Sequence, residues 1–407
     1  MNSIHKPPRS GGDSTPPASP PSLRSPSGRR DGDEGRDATL TASNRDAPVV
    51  ASLQQTKQLG QSVWLDNLSR TLIQEGGLQR LISEDGVSGV TSNPAIFFKA
   101  ISESPYYRVD VQRLKAAKTP AEPLYEALVI PDIQAACDLM QPEYRRTGGR
   151  DGYVSLEVSP ALAHDAAGTV AAGLRLKAAV QRENLLIKVP ATAAGLQALE
   201  ELIAHGCSVN VTLMFSLAHV HAVALAYVRG LQRLVDAGGD PRPVKSVASL
   251  FLSRVDTLID KQLDGIGGVA LLLRGKAGVA LAKLAYRDYQ KTFKSSMFAP
   301  LAARGAQPQF MLWASTGTKN PAYSDVLYVE SLIGADTVNT VPDATLAAFR
   351  DHGKAAATLE RGTNEAQAHF DALAMAGIDL QQAGETLQAE GVKQFAQAFD
   401  QLLQLLS

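Results

Sequence analysis

Residues Leu185–Gly206 read LLIKVPATAAGLQALEELIAHG, a short apolar run followed at once by apolar residues at helical spacing. The first part is too short for an ordinary helix and reads as a buried strand; the second is long enough to carry the chain back beside a parallel neighbour. The same unit recurs along the chain. Strand-like runs occur at Ser62–Leu68 (SVWLDNL), Gly86–Asn93 (GVSGVTSN), Gly152–Ser159 (GYVSLEVS), Leu185–Ala191, Ser208–Phe215 (SVNVTLMF), Val244–Ser253 (VKSVASLFLS), Gln309–Ser315 (QFMLWAS) and Thr337–Pro342 (TVNTVP). Helix-period segments such as Ala161–Glu183 lie between them. Eight strands alternating with helices predict an α/β protein closed as a (β/α)8 TIM barrel, because an open doubly wound sheet usually needs fewer.

Each run begins apolar and turns polar toward its C-terminal end, at Asp66, Asn93, Glu157, Lys188, Asn210 with Thr212, Ser249 with Arg254, and Ser315. Barrel enzymes carry their chemistry on that face, so side chains far apart in sequence are expected in one mouth. The eighth run offers Asn339 and is the weakest of the set.

Composition narrows the function class. The chain has 407 residues, 44% hydrophobic and 20% charged, with a net charge of −1. Without a basic excess it is a poor electrostatic match for nucleic acid. Cys137 and Cys207 are the two cysteines and lie far apart, which gives neither a disulfide framework nor a zinc spacing and fits a reducing, cytoplasmic setting. No apolar run reaches the roughly 18 to 20 residues of a membrane-spanning helix, so a soluble protein is expected. Exposed and core-facing helix surfaces look alike in sequence, and an oligomer is compatible with both.

Residues 1–50 differ from the rest, being built from Pro, Ser, Gly, Arg and Asp with few large apolar side chains. Such a segment cannot bury enough surface to offset its ordering entropy and reads as a disordered extension, leaving 51–407 as the barrel with a C-terminal helix. A transit peptide is the rival reading. Against it stand the acids at Asp31, Asp33, Glu34 and Asp37 and the lack of an amphipathic period.

Lys188 places one amine inside an apolar strand. Burial favours the neutral amine, which attacks carbonyls to give a carbinolamine and then a Schiff base. The plain alternative is a lysine that snorkels at the strand end or pairs with Glu157.

The flanking residues bear on that choice. Asp85–Pro94 (DGVSGVTSNP) resembles the first signature of the transaldolase family, and Leu185–Leu202 resembles the second, which holds the imine-forming lysine. VWLDNLSR at Val63, VSLEVSP at Val154, SVNVTLMFS at Ser208, VASLFLSRVD at Val247 and WASTGTKNPAYSD at Trp313 follow in the family's order. The last helix, GVKQFAQAFDQLLQLLS from Gly391, is also similar to the longer bacterial branch.

The resemblance implies roles residue by residue. Lys188 would form the Schiff base with a ketose phosphate. Glu157 would shuttle protons through a water that Thr212 helps to hold, and Asp66 would act as acid and base at the hydroxyl beside the scissile bond. Asn93 and Asn210 would hold the dihydroxyacetone unit. Ser249, Phe251 and Arg254 lie in the family's S-x-F-x-x-R arrangement, with Arg254 on the phosphate. Shorter members carry an arginine soon after the serine matching Ser315, whereas this chain has Lys319.

The activity so implied moves a dihydroxyacetone unit from sedoheptulose 7-phosphate to glyceraldehyde 3-phosphate, within the non-oxidative pentose phosphate pathway, without cofactor or metal. In the related fructose-6-phosphate aldolases the positions of Glu157 and Phe251 tend to be glutamine and tyrosine, so this sequence sides with transfer. A non-catalytic barrel acting as a scaffold would have little physical reason to retain the whole constellation. His219 and His221, two apart on a helix, cannot share a face and are poor metal ligands. Phe97, Phe98 and Trp313 read as packing, and the basic residues between Lys276 and Lys294 as a solvated face.

Overall fold

A computed structural model describes residues 52–407. The expected extension at 1–50 lies outside the described residues. The strands are β1 (Gln61–Leu65), β2 (Gly89–Val90), β3 (Tyr153–Glu157), β4 (Leu185–Pro190), β5 (Val209–Met214), β6 (Ser246–Phe251), β7 (Phe310–Ala314) and β8 (Thr337–Val341). They close in sequence order into a barrel, every neighbouring pair parallel, with β8 returning to β1 from Gln61↔Thr337 to Leu65↔Val341. The expected TIM barrel is the observed fold.

β4 through β8 are buried along their whole length. The helices between the strands cover them with apolar stripes: Leu217–Asp236 buries Val220, Val223, Ala224, Tyr227, Leu231 and Leu234, the i, i+3, i+4 spacing of a core-facing helix. A fully buried side chain of that size contributes about 1.5–3 kcal/mol, so each stripe outweighs the weak helix propensity of its valines.

Glycine decides the geometry at two places. A Cβ on Gly195 would lie 1.8 Å from the Pro190 carbonyl oxygen. The turn out of β4 therefore closes only around glycine, while the Thr192 side chain caps the helix Ala193–Ala204 by accepting from Gly195 N at 3.0 Å. At Gly89 a Cβ would come within 2.5 Å of the Trp64 indole. β2 is two residues long where the sequence suggests eight: Ser88 and Thr91 still donate to the carbonyls of Val63 and Leu65, both at 2.9 Å, but Asn93 already leaves to cap the next helix.

One irregularity lies at the end of β5. The β5 register against β6 shifts between Val211 and Met214, where Leu213 has φ 61. A left-handed residue inside a strand marks a bulge, which re-aims neighbouring side chains. Above it runs the helix Leu380–Leu406, burying Ala383, Gly384, Leu387, Gly391, Phe399, Leu402 and Leu406 on one face. It packs on β5 and on the helices Pro94–Glu103, Ala121–Arg146 and Ser253–Ile266.

The basic residues between Lys276 and Lys294 form the expected solvated face at Lys276, Lys291 and Lys294, but Lys283 departs from it. Lys283 turns inward and donates to the carbonyls of Thr358 (2.6 Å) and Arg361 (2.8 Å), tying the loop before the helix Thr363–Met375 to the helix Ala277–Phe293. Phe97 and Trp313 are buried, as packing requires. No described helix is long and apolar enough to cross a membrane.

Candidate active site

A cavity of about 210 Å³ opens at the C-terminal ends of the strands. Its walls include Asp66, Asn93, Lys188, Thr212, Ser249, Phe251, Arg254, Ser315 and Lys319, contributed by six strand ends and the loops after them. Glu157 and Asn210 stand behind that wall, flanking Lys188 in direct strand register: Glu157↔Lys188 and Lys188↔Asn210.

Lys188 is buried and paired. Its Nζ donates to Glu157 Oε2 at 3.1 Å and to the Ser92 carbonyl at 3.0 Å. Burial pushes the Glu157 carboxyl above the ordinary range, against the pull of the Lys188 charge. Asp66 is raised for the same leading reason; Lys188 and the hydrogen bond that Thr91 Oγ1 donates to Asp66 Oδ1 at 2.8 Å act the other way. Two carboxylates thus flank one amine, both holding their protons to higher pH than free side chains do.

The amides are each half-committed. Asn93 caps the helix Pro94–Glu103, its Oδ1 accepting from Ile96 N at 3.0 Å, and its Nδ2 has no partner among the described residues. Asn210 donates to Ser155 Oγ at 3.0 Å and accepts from Ser249 Oγ at 2.7 Å. Asn93 thus caps a helix and Asn210 is a bonded buried amide, and both leave amide protons for another acceptor. Thr212 is fully buried, yet its Oγ1 has no hydrogen-bond partner among the described residues. An orphaned hydroxyl in a polar cavity wall is a place for a water or a substrate oxygen.

The cationic end of the cavity is formed by Arg254 and Lys319. Arg254 is the second residue of the helix Ser253–Ile266, where the backbone dipole also favours an anion. Its Nη1 donates to Gln394 Oε1 at 2.8 Å, its guanidinium carbon lies 5.5 Å from the Phe251 ring centre, and burial lowers its pKa from the usual arginine value. Lys319 is exposed and has no ion pair among the described residues. Ser315, with φ 54, carries the chain out of β7 and shares a 2.8 Å hydroxyl contact with Ser253.

Sequence reasoning missed part of the wall. Thr340, not Asn339, faces the cavity; Asn339 lies on the other face of β8 and donates to the Tyr328 carbonyl at 3.0 Å. Thr340 Oγ1 sits 2.6 Å from Thr91 Oγ1, behind Asp66. Phe395 closes the cavity from the C-terminal helix, with its ring centre 5.5 Å from Lys188 Nζ. No sequence pattern signals that helix as part of the site. Among the described residues no group of three or more His, Cys, Asp and Glu is arranged to hold a metal ion.

Comparison with known proteins gives one consistent result. The model of the family Transaldolase/Fructose-6-phosphate aldolase matches residues 63–406. A protein named transaldolase from Thiobacillus denitrificans is 55% identical over 86% of this chain and 98% of its own length. Transaldolases from Neisseria gonorrhoeae (50% identity, 86% and 98% coverage) and Mycolicibacterium smegmatis (48%, 88% and 96%) are similar over nearly the same span.

Proposed function

The chain belongs to the transaldolase/fructose-6-phosphate aldolase family, and on that premise we propose that Lys188 forms the Schiff base through which it works. The activity is that of a transaldolase acting on sugar phosphates. The preferred donor and acceptor in this reading are sedoheptulose 7-phosphate and glyceraldehyde 3-phosphate, and the products are erythrose 4-phosphate and fructose 6-phosphate.

The chemistry follows from the side chains around the amine. Glu157, 3.1 Å away, takes a proton from Lys188, and the free amine adds to the donor ketone. The carbinolamine hydroxyl leaves as water with a proton returned by Glu157, relayed by a water that the orphaned Thr212 hydroxyl holds. Asp66 takes the proton of the hydroxyl beside the scissile bond. The carbon–carbon bond breaks, its electron pair flows into the iminium to give an enamine, and the aldose phosphate departs.

Asn93 and Asn210 hold the remaining three-carbon unit without adding charge. Arg254 and Lys319 fix the phosphate of the departing and then of the arriving aldehyde, which places its carbonyl against the enamine carbon. Bond formation reverses the sequence, with Asp66 as the acid.

The observation that carries this reading is the buried Lys188–Glu157 pair, whose lysine lines a cavity shared with Asp66 and Arg254. Borohydride reduction in the presence of fructose 6-phosphate tests it. A trapped mass adduct on Lys188, lost in Lys188→Ala, is the expected result; folded protein without an adduct would overturn the assignment.

A further inference from the structure

Resting on that reading, we propose that Phe395 is a specificity-determining residue of the transfer. Its ring keeps water from the imine on Lys188, so that the three-carbon unit passes to an aldehyde instead of leaving as free dihydroxyacetone.

The competing reaction is simple. If the enamine carbon takes a proton from solvent, the iminium re-forms; water then adds to its carbon, the carbon–nitrogen bond breaks, and dihydroxyacetone departs with the amine restored. Nothing but water is required, so the partition depends on water access to the imine and on how long the enamine waits. The cavity already needs one water, at Glu157 and the Thr212 hydroxyl, and must exclude others.

Phe395 is the aromatic side chain that the C-terminal helix adds to the cavity wall. Half-buried, it has its ring centre 5.5 Å from Lys188 Nζ, close enough for its face to favour a cationic nitrogen over a neutral one. Its placement is fixed from both sides. One turn or two before it, Gly391 lets the helix approach Leu213, and Gln388 Nε2 donates to the carbonyls of Ala191 (2.9 Å) and Leu213 (3.1 Å) at the ends of β4 and β5. Beside it Gln394 is bonded to Arg254, and one turn later Phe399 meets Tyr125 edge to face at 5.4 Å. A ring pinned in this way over the amine is a fixed cover, and its shape sets the gap through which water reaches the imine.

The test compares the full-length protein with Phe395→Ala and Phe395→Leu. Dihydroxyacetone release from fructose 6-phosphate without acceptor is measured against transfer to erythrose 4-phosphate, alongside borohydride trapping at Lys188. We expect Phe395→Ala still to give the Lys188 adduct while its ratio of release to transfer rises about tenfold. Phe395→Leu, which refills the space, should return most of the way to the unsubstituted ratio. An unchanged ratio in Phe395→Ala, or an equal rise in Phe395→Leu, would overturn the proposal. Absence of an adduct in the unsubstituted protein would instead remove the Schiff-base reading on which it rests.

Discussion

Glu157 Oε2 and Lys188 Nζ lie 3.1 Å apart with 7% of each side chain exposed, on adjacent strands in direct register. A pair so enclosed has exchanged its hydration for one strong contact and a bond to the Ser92 carbonyl, and its value for stability is small compared with the loss when one member goes. Glu157→Gln keeps the shape but leaves the ammonium without its counter-charge and without the proton relay. We expect a lower melting temperature and imine formation slowed by about 10²–10⁴-fold, followed by timed borohydride trapping. Equal trapping rates in the two proteins would remove Glu157 from the dehydration step.

Asp66 should show the opposite sign in stability. Its carboxyl holds its proton to higher pH in the folded protein than in the unfolded chain, with burial the main cause. The folded state is therefore favoured below the unfolded value, near pH 3.9, and loses that advantage as pH rises through the folded value. Asp66→Asn removes the buried charge. It should raise the melting temperature near neutral pH, with the gain shrinking as pH falls toward about 4, and abolish bond cleavage while leaving adduct formation on Lys188 intact. Stability that falls at neutral pH would mean that the carboxylate is held by more than Thr91 and the neighbouring cations.

The barrel is legible in the sequence because its signals are local. A strand such as Leu185–Pro190 and the helix behind it each carry their own period, and Asp66, Glu157 and Lys188 stand out as polar residues ending apolar runs. What the sequence hides is contact between distant segments. β2 is short because Asn93 leaves the sheet to cap the next helix, and Thr340 replaces Asn339 because strand parity depends on a register that only pairing sets. The C-terminal helix reads as an ordinary amphipathic helix, so Gln388, Gln394 and Phe395 look like surface until the helix is laid across the mouth. Lys188 alone was ambiguous, and its ion pair with Glu157 realises the plain alternative at the same position where the resemblance implies chemistry.

Arg254 separates binding from chemistry. Its Nη1 is bonded to Gln394, and the rest of its fork faces the cavity at a helix N-terminus. A charge-assisted contact of this kind contributes about 1.5–3 kcal/mol, or roughly ten- to a hundredfold in affinity. Arg254→Ala should raise KM for phosphorylated donors by that factor with a smaller effect on kcat, whereas an unphosphorylated ketose should be turned over equally by both proteins. Equal losses on both substrates would place the arginine's contribution elsewhere than on phosphate.

The far end of the barrel, where no chemistry is assigned, holds a second buried lysine. Lys245 is fully buried just before β6; its Nζ has no hydrogen-bond partner among the described residues and lies 3.1 Å from the Phe310 ring centre. Burial holds its pKa well below the ordinary lysine value, with the charge of Arg150 adding to the effect and Asp151 and Asp336 opposing it. Between that lowered value and the unfolded value near 10.4, the unfolded chain binds more protons, so this lysine makes stability rise with pH across that window. Lys245→Met keeps the volume and the contact with the ring but removes the buried amine. Leaving a polar group unpaired costs about 1–3 kcal/mol, and the variant should be more stable by that order at neutral pH, with the gain fading as pH approaches 10. Melting curves at several pH values measure it. A loss of stability in Lys245→Met would show that the face of Phe310 holds the ammonium more strongly than burial disfavours it.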